Sequence, residues 1–299
     1  MEKTETQPEE FRVSAAGAEL FVRKQGRGPG LLLIHGVACD CDYFTETARC
    51  LKQQFTVLTY DRRGYSRSHL LYTGNADGAE AAGYVPEQQT PRVQAEDAAA
   101  VIRASGLRNV FVAGSSAGGV VAAELALTHP ELVNGLFLHE PFFCGTAEVE
   151  EEAGALAGKL QEAGKNGRVI RAMRAFIQCM GGVDQRAISK SLAQQARDLE
   201  NLQFFLKYEM ESFFAADIGR LRQIAVPAWI GVGEGSREGL FHRAAKAAAE
   251  ELGWPLFYVP GYHNFPSDLP REFAAAVAGV FCLQAGIDCE SRYCSLRSQ

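Results

Sequence analysis

A serine suited to nucleophilic catalysis lies between a predicted strand and a predicted helix. Residues 110–113 form a valine-rich apolar run, and residues 114–118 then read Gly-Ser-Ser-Ala-Gly with Ser116 at the centre. This order is typical of a tight strand-to-helix turn that strains the serine backbone and exposes its hydroxyl. The backbone N–H of Ala117, at the start of the helix, is then placed to bind a developing oxyanion. The pattern therefore predicts Ser116 as a nucleophile.

A serine hydroxyl needs a neighbouring base, and His263 is the histidine best placed to act as one. It follows Pro260, Gly261 and Tyr262 in a loop after the last predicted strand, at residues 255–259. This late position also completes the chain order serine, acid, histidine. The other histidines are interpreted as structural or solvent-exposed: His35, His69, His129, His139 and His242.

Two glutamates are candidates for the acid that orients the histidine and stabilises its charged form. Glu140 directly follows an apolar strand predicted at residues 134–139. Glu234 lies in the loop after a later strand. In the commonest arrangement of a catalytic serine, acid and histidine in this chain order, the acid is an aspartate in that loop. Ser236 occupies that aspartate position in this sequence, and a hydroxyl cannot carry the negative charge that stabilises an imidazolium. Glu140 is the preferred acid, and Glu234 is the alternative.

A second oxyanion donor is predicted in the loop that follows an earlier strand. Residues 31–34 form a fully apolar run of the kind found in buried parallel strands, and His35, Gly36 and Val37 come next. Gly36 allows a close backbone approach, and the N–H of Val37 supplies the donor. The predicted oxyanion hole therefore consists of Gly36, Val37 and Ala117.

These candidate residues all follow predicted strands, which places them along one edge of a sheet. Apolar runs alternate with helical patterns through most of the chain, at residues 31–34, 55–60, 110–113, 134–139, 226–232 and 255–259. Such alternation is typical of an α/β protein with an open, doubly wound, mostly parallel sheet, in which ligands bind beyond the carboxyl ends of the strands. Residues 142–222 show several helical patterns and no convincing strand. We predict an α/β core at residues 1–141 and 223–299 with an inserted helical cap at residues 142–222.

The composition is that of an ordinary globular protein, with 47% hydrophobic and 22% charged residues among 299. The formal net charge of −6 argues against a nucleic-acid-binding surface. The first ten residues are polar and acidic, without the apolar core of a signal peptide, and no stretch is long enough to span a bilayer. We therefore predict a cytoplasmic protein that binds neither nucleic acid nor membrane.

Eight cysteines exceed the usual number and raise the question of a metal site or a disulfide. Cys39 and Cys41 lie close together in sequence, as do Cys282, Cys289 and Cys294. Neither group has the Cys-x-x-Cys spacing of a zinc site, and no histidine lies near the second group. A chain without an export signal keeps its thiols reduced. We predict free thiols and no metal, with a disulfide or metal in the C-terminal tail as the alternative.

Four motifs together resemble the α/β-hydrolase superfamily over nearly the whole chain. They are His35-Gly36, the loop Asp61-Arg62-Arg63-Gly64-Tyr65-Ser66-Arg67-Ser68, the Gly-x-Ser-x-Gly at residues 114–118, and Pro260-Gly261-Tyr262-His263. Within that superfamily, His139-Glu140-Pro141 together with residues 260–266 resembles the zearalenone lactone hydrolases. This resemblance implies a triad of Ser116, Glu140 and His263, the oxyanion hole named above, and a helical cap over a macrolactone pocket. It implies no metal and no organic cofactor.

The expected function is that of a serine hydrolase cleaving a carboxylic ester or lactone, with a zearalenone-type macrolactone among the candidates. A carbon–carbon bond hydrolase of the same fold and a non-catalytic small-molecule receptor that retains the triad are the alternatives. Dehalogenases and epoxide hydrolases place aspartate at the position of Ser116, so the serine argues against both. The expected partner is a small-molecule ester or lactone, and the sequence is also compatible with a homodimer.

Overall fold

A single mixed β-sheet organises the residues that this computed structural model describes, which are 7–71, 89–185, 190–216 and 218–285. Within these residues the strands are β1 Glu9–Ala15, β2 Ala18–Gly26, β3 Gly30–Ile34, β4 Thr56–Tyr60, β5 His69–Leu70, β6 Val110–Ser115, β7 Val133–His139, β8 Ala228–Gly233 and β9 Leu256–Val259. Their order in the sheet is β1-β2-β4-β3-β6-β7-β8-β9, and β5 pairs with β2. All neighbours from β4 to β9 are parallel, which confirms the predicted fold class.

The central strands are apolar because both of their faces are covered. Every residue of β3, β4 and β6 is buried, and β3 lies between the other two. Fully apolar runs are expected in parallel strands that have helices on both sides. Because β3, β6, β7 and β8 are parallel, their carboxyl ends lie along one edge of the sheet, and predicted site residues follow these ends.

Helices cover both faces of the sheet within the described part of the chain. They are α1 Thr45–Leu51, α2 Pro91–Ala104, α3 Ala117–Thr128, α4 Glu150–Lys165, α5 Val169–Cys179, α6 Leu192–Tyr208, α7 Met210–Phe214, α8 Leu240–Leu252, α9 Phe265–Asp268 and α10 Pro270–Ala285. Buried residues of α2, α3 and α8 belong to one hydrophobic core, and those of α1 and α10 belong to a second. No helix among the described residues is long and apolar enough to cross a membrane.

Four helices, α4 to α7, lie between β7 and β8 in the chain, and we call them the inserted helices. In the described part of that interval there is no strand. Three of their aromatic side chains, Phe176, Phe205 and Phe213, are buried in the same core as the α2, α3 and α8 side chains. The hydrophobic core is therefore continuous from the sheet into the inserted helices.

Some sequence predictions fall outside the described residues. Residues 70–90 are rich in Gly, Ala, Asn and Tyr, which predicts an irregular surface loop, and most of that range lies outside the described residues. The tail from residue 286 onward, with Cys289 and Cys294, also lies outside them. The six cysteines that the structure describes carry free thiols: Cys39, Cys41, Cys50, Cys144, Cys179 and Cys282.

Candidate active site

Ser116 occupies a sharp turn between the end of β6 and the start of α3. Its backbone dihedrals are φ 55° and ψ −125°, a conformation that a residue with a side chain rarely adopts. Close packing around the turn requires the flanking glycines. A Cβ atom on Gly114 would lie 2.4 Å from the Gly118 carbonyl oxygen, and one on Gly118 would lie 2.1 Å from the Ile34 carbonyl oxygen. The predicted turn is therefore present.

His263 and Glu140 form a buried pair that joins two strand ends. Glu140 directly follows β7, and His263 lies in the loop after β9. The His263 Nδ1 atom is 2.7 Å from Glu140 Oε2, and both side chains are almost completely buried. The imidazole also stacks on the Phe241 ring, with 4.6 Å between ring centroids. Because Nδ1–H donates to the carboxylate, Nε2 is left to act as a base.

Glu140 is fixed by partners on its other oxygen. Its Oε1 accepts from the Gly233 N–H at 2.9 Å and from the Ser236 hydroxyl, and the His242 Nδ1 lies 3.7 Å away. Burial opposes ionisation of the carboxyl, but interactions with His242 and His263 outweigh it and hold the pKa of Glu140 well below its ordinary value. Its φ of 38° is also positive, a backbone conformation that is strained for a residue with a side chain. The carboxylate is therefore charged and held in one orientation.

The alternative acid, Glu234, lies elsewhere. It is exposed to solvent after β8, and the described contacts of His263 include Glu140 and not Glu234. The backbone N–H of Glu234 donates to the Val259 carbonyl at 2.8 Å, which fixes the loop rather than the imidazole. Of the two glutamates, the structure brings Glu140 to His263.

A cavity of about 190 Å³ opens where these strand ends meet. Ser116 and His263 both line it, together with Gly36 and Val37 from the loop after β3. Apolar side chains from α5 and the residues after it form much of the opposite wall, and polar groups add to the lining: Met173, Phe176, Ile177, Met180, Val183, Tyr43, Lys190, Asp198 and Asn264. The cavity thus lies between the sheet edge and the inserted helices.

The predicted oxyanion donors adjoin the serine. A Cβ atom on Gly36 would lie only 3.0 Å from the Ser116 Cβ, so the loop after β3 contacts the serine and a larger residue would displace it. Ala117 is the first residue of α3, where a backbone N–H has no acceptor within the helix. The Val37 N–H donates no hydrogen bond to another described residue. Among the described residues, neither N–H group donates a hydrogen bond.

Sequence reasoning missed two residues that support Glu140. In the sequence, Ser236 is identified only as the residue that replaces an aspartate, and His242 is interpreted as structural because it lies in a helical pattern. In the structure the Ser236 hydroxyl bonds the carboxylate, and His242 Nδ1 donates to the Gly233 carbonyl at 3.0 Å. The signal in the sequence is the combination of Ser236 and Glu140. A serine at the usual position of the acid can donate a hydrogen bond to an acid at the end of the neighbouring strand.

The buried His139 makes the stability of the protein fall in acid. Burial lowers its pKa from 6.5 to about 4. Between these values the unfolded chain binds a proton at this histidine and the folded protein does not, so the free energy of unfolding falls as the pH drops through the window. Between pH 7 and pH 5 we expect the free energy of unfolding of the wild type to fall by about 2 kcal/mol more than that of His139→Asn, as measured by urea unfolding. Parallel losses in both proteins would contradict this assignment.

Known proteins that are similar to this chain indicate its family. A family model described as the alpha/beta hydrolase fold matches residues 29–167. A Bacillus subtilis protein described as uncharacterized hydrolase YraK is 30% identical over 264 residues, covering 86% of this chain and 90% of that protein. The chain belongs to the α/β-hydrolase family.

Other proteins similar to this chain carry varied descriptions. The 2-(acetamidomethylene)succinate hydrolase of Mesorhizobium japonicum is 25% identical over 279 residues, covering 87% of this chain and 90% of that protein. The solved structure of an esterase, EaEST from Exiguobacterium antarcticum, matches with a TM-score of 0.69 at 19% identity, covering 90% of this chain and 98% of that one. At that identity the structural likeness shows the fold alone. These similar proteins leave the substrate of this chain open.

Proposed function

We propose that the protein is a serine hydrolase that cleaves carboxylic esters or lactones through an acyl-enzyme on Ser116. One observation carries the proposal. Glu140 and His263 form a buried pair, with 2.7 Å between Oε2 and Nδ1. His263 lines the same cavity as Ser116, which lies in a strained turn. A nucleophile, a base and an orienting acid at one cavity are the groups that acyl transfer requires.

In the acylation step, His263 Nε2 takes the proton of the Ser116 hydroxyl as the oxygen attacks the carbonyl carbon of the substrate. The negative charge that develops on the carbonyl oxygen is bound by the Val37 and Ala117 N–H groups. Glu140 stabilises the imidazolium formed on His263 and keeps it in the correct tautomer. The carbon–oxygen bond then breaks, and the alcohol leaves with the proton from His263.

The acyl-enzyme is resolved by water. His263 removes a proton from a water molecule as it attacks the acyl carbon, and the same N–H groups bind the second oxyanion. Collapse of this intermediate returns the proton to the Ser116 oxygen and releases the carboxylic acid. With a lactone substrate, the alcohol and the acid are parts of one product.

The inserted helices supply the cavity wall from which we propose a substrate class. Met173, Phe176 and Ile177 of α5 supply an apolar wall to the cavity, so we propose that α4 to α7 act as a cap and that the substrate presents an apolar group to α5. The resemblance to the zearalenone lactone hydrolases rests on Glu140 and the His263 loop. It adds a macrolactone to the substrates to be tested.

A panel of p-nitrophenyl esters of increasing acyl length, an aryl acetate and a macrolactone tests this proposal. We expect saturable turnover of at least one class, with an initial burst of p-nitrophenol equal to the enzyme concentration when deacylation is the slower step. A protein that binds these esters and turns over none of them would instead be a receptor, and the proposal would fail.

The Ser236 hydroxyl provides a further prediction, because it donates to the charged Glu140. A hydrogen bond to a charged group contributes about 1.5–3 kcal/mol, so we expect Ser236→Ala to lower kcat on the order of 10-fold. The Gly233 N–H still holds Glu140 in that variant, which keeps the loss below that of removing the carboxylate. Ser105→Ala is the matched control, since the Ser105 hydroxyl donates to the Ile102 carbonyl away from the cavity. Equal kcat values for both variants and wild type would contradict the prediction.

A further inference from the structure

Two buried donors hold the carbonyl of Gly36, which belongs to the same peptide as the N–H of Val37. Arg62 Nη2 donates to the Gly36 oxygen at 3.0 Å, and His35 Nδ1 contacts it at 2.9 Å. The backbone N–H of Arg62 donates to His35 Nε2 at 3.0 Å, so the ring proton lies on Nδ1 and is donated to Gly36. Burial lowers the pKa of His35 to about 4, which keeps this neutral tautomer at pH 7.

The orientation of this carbonyl fixes the orientation of the Val37 N–H. The two groups point in opposite directions across a trans peptide, and no peptide bond between described residues is cis. Holding the Gly36 oxygen toward Arg62 and His35 therefore aims the Val37 N–H away from them. Val37 lines the same cavity as Ser116.

Arg62 is itself held by a residue at the junction of two inserted helices. Its Nη1 lies 3.1 and 3.3 Å from the two carboxylate oxygens of Glu209, which stands between α6 and α7. Gln94 donates to Glu209 Oε1 at 2.7 Å, and the Tyr65 hydroxyl donates to Oε2 at 2.8 Å. The side chains of Arg62 and Glu209 are completely buried.

A buried charge whose partner is removed is strongly unfavourable, and the remaining group turns toward water where it can. Loss of the Glu209 charge would therefore displace the Arg62 guanidinium and release one of the two donors on the Gly36 carbonyl. A peptide held by His35 alone is free to tilt, and the Val37 N–H tilts with it. The packing of the inserted helices against the core is thus connected to the geometry beside Ser116.

We propose that Arg62 and Glu209 are positioning residues of the oxyanion hole, so that catalysis requires the junction of α6 and α7 to be docked on the core. This inference rests on the proposed function, because it assigns the Val37 N–H to the oxyanion. The pair acts on the transition state and not on substrate binding, since neither residue lines the described cavity.

The test compares Arg62→Lys and Glu209→Gln with wild type on the best ester of the panel. We expect kcat to fall on the order of 10–100-fold with KM within about threefold, because a misplaced donor weakens transition-state binding alone. The inhibition constant of a trifluoromethyl ketone, which forms a tetrahedral oxyanion on the serine, should rise by a similar factor. That of the corresponding secondary alcohol, which forms none, should stay unchanged. Tyr65→Phe removes one donor to Glu209 and should shift the same quantities less.

The neighbouring pair of Arg63 and Asp97 provides the matched control. Arg63 Nε and Nη2 lie 2.5 Å from the Asp97 carboxylate oxygens, and both side chains are buried, but neither contacts Gly36. We expect Arg63→Lys and Asp97→Asn to lower thermal stability without changing kcat or either inhibition constant. If Arg62→Lys, Glu209→Gln and Tyr65→Phe leave the trifluoromethyl ketone constant unchanged, the inference is overturned while the proposed function stands. A wild-type enzyme that turns over no ester overturns the proposed function instead.

Discussion

Ser116→Ala should abolish ester hydrolysis while leaving the protein folded. Removing the nucleophile of a serine hydrolase costs about 10⁶-fold in kcat, so the variant should show no turnover above the background of the assay. Substrate binding should persist, because the hydroxyl is one group among many that line the cavity. We expect the variant to bind a competitive inhibitor with a Kd close to the wild-type inhibition constant, measured by calorimetry.

Ser115→Ala is the control for this substitution. Ser115 lies next to Ser116 and lines the same cavity, and its hydroxyl is 3.4 Å from His139 Nδ1 rather than at the centre of the turn. We expect this variant to keep kcat within about one order of magnitude of wild type. A Ser116→Ala protein with turnover comparable to wild type would assign the chemistry to another group.

Glu140→Gln should have the second-largest effect, with kcat lowered about 10⁴-fold. The amide preserves the shape of the side chain but cannot stabilise an imidazolium, and its NH₂ group can face His263 and favour the wrong tautomer. The loss should appear in kcat rather than in KM, because Glu140 lies behind His263 and does not line the cavity. Steady-state kinetics on the best p-nitrophenyl ester measure both values.

Glu234→Gln is the matched control for the acid assignment. Glu234 is exposed, and the described contacts of His263 do not include it, so we expect wild-type kcat and KM. A large loss in Glu234→Gln together with a normal Glu140→Gln enzyme would reverse the assignment. Comparable losses in both variants would mean that the loop after β8, rather than one carboxylate, controls the histidine.

The positions of Ser116 and His263 could be predicted from the sequence because their signals are local. A valine-rich run followed by Gly-x-Ser-x-Gly specifies strand, turn and helix within about ten residues, and the structure has β6, the turn and α3 in that order. Glu140 could be preferred over Glu234 because one carboxylate ends a buried strand and the other lies in a polar loop. β7 and β9, the strands before Glu140 and His263, lie on the two sides of β8 and are parallel to it, so their carboxyl ends lie on the same edge of the sheet.

The supporting contacts could not be predicted, because they join residues far apart in the chain. Arg62 and Glu209 are separated by 147 residues, and Glu140 and Ser236 by 96. In the sequence, Arg62 belongs to a charged loop with three arginines, and nothing local shows which one is buried against Gly36. In the structure, Arg62 bonds Glu209, Arg63 bonds Asp97, and Arg67 bonds Asp61 at 2.7 Å. Of these three ion pairs, only that of Arg62 involves the junction of α6 and α7, so its partner depends on the packing of the inserted helices.

Labelling with a fluorophosphonate tests the central claim most directly, because this reagent reacts with a serine only when a base activates the hydroxyl. We expect the intact mass of the wild-type protein to increase by one phosphonyl group, with peptide mapping placing the adduct on Ser116. Labelling should be slowed strongly in Glu140→Gln and remain normal in Glu234→Gln. A folded wild-type protein that stays unlabelled, or an adduct on a residue other than Ser116, would contradict the account.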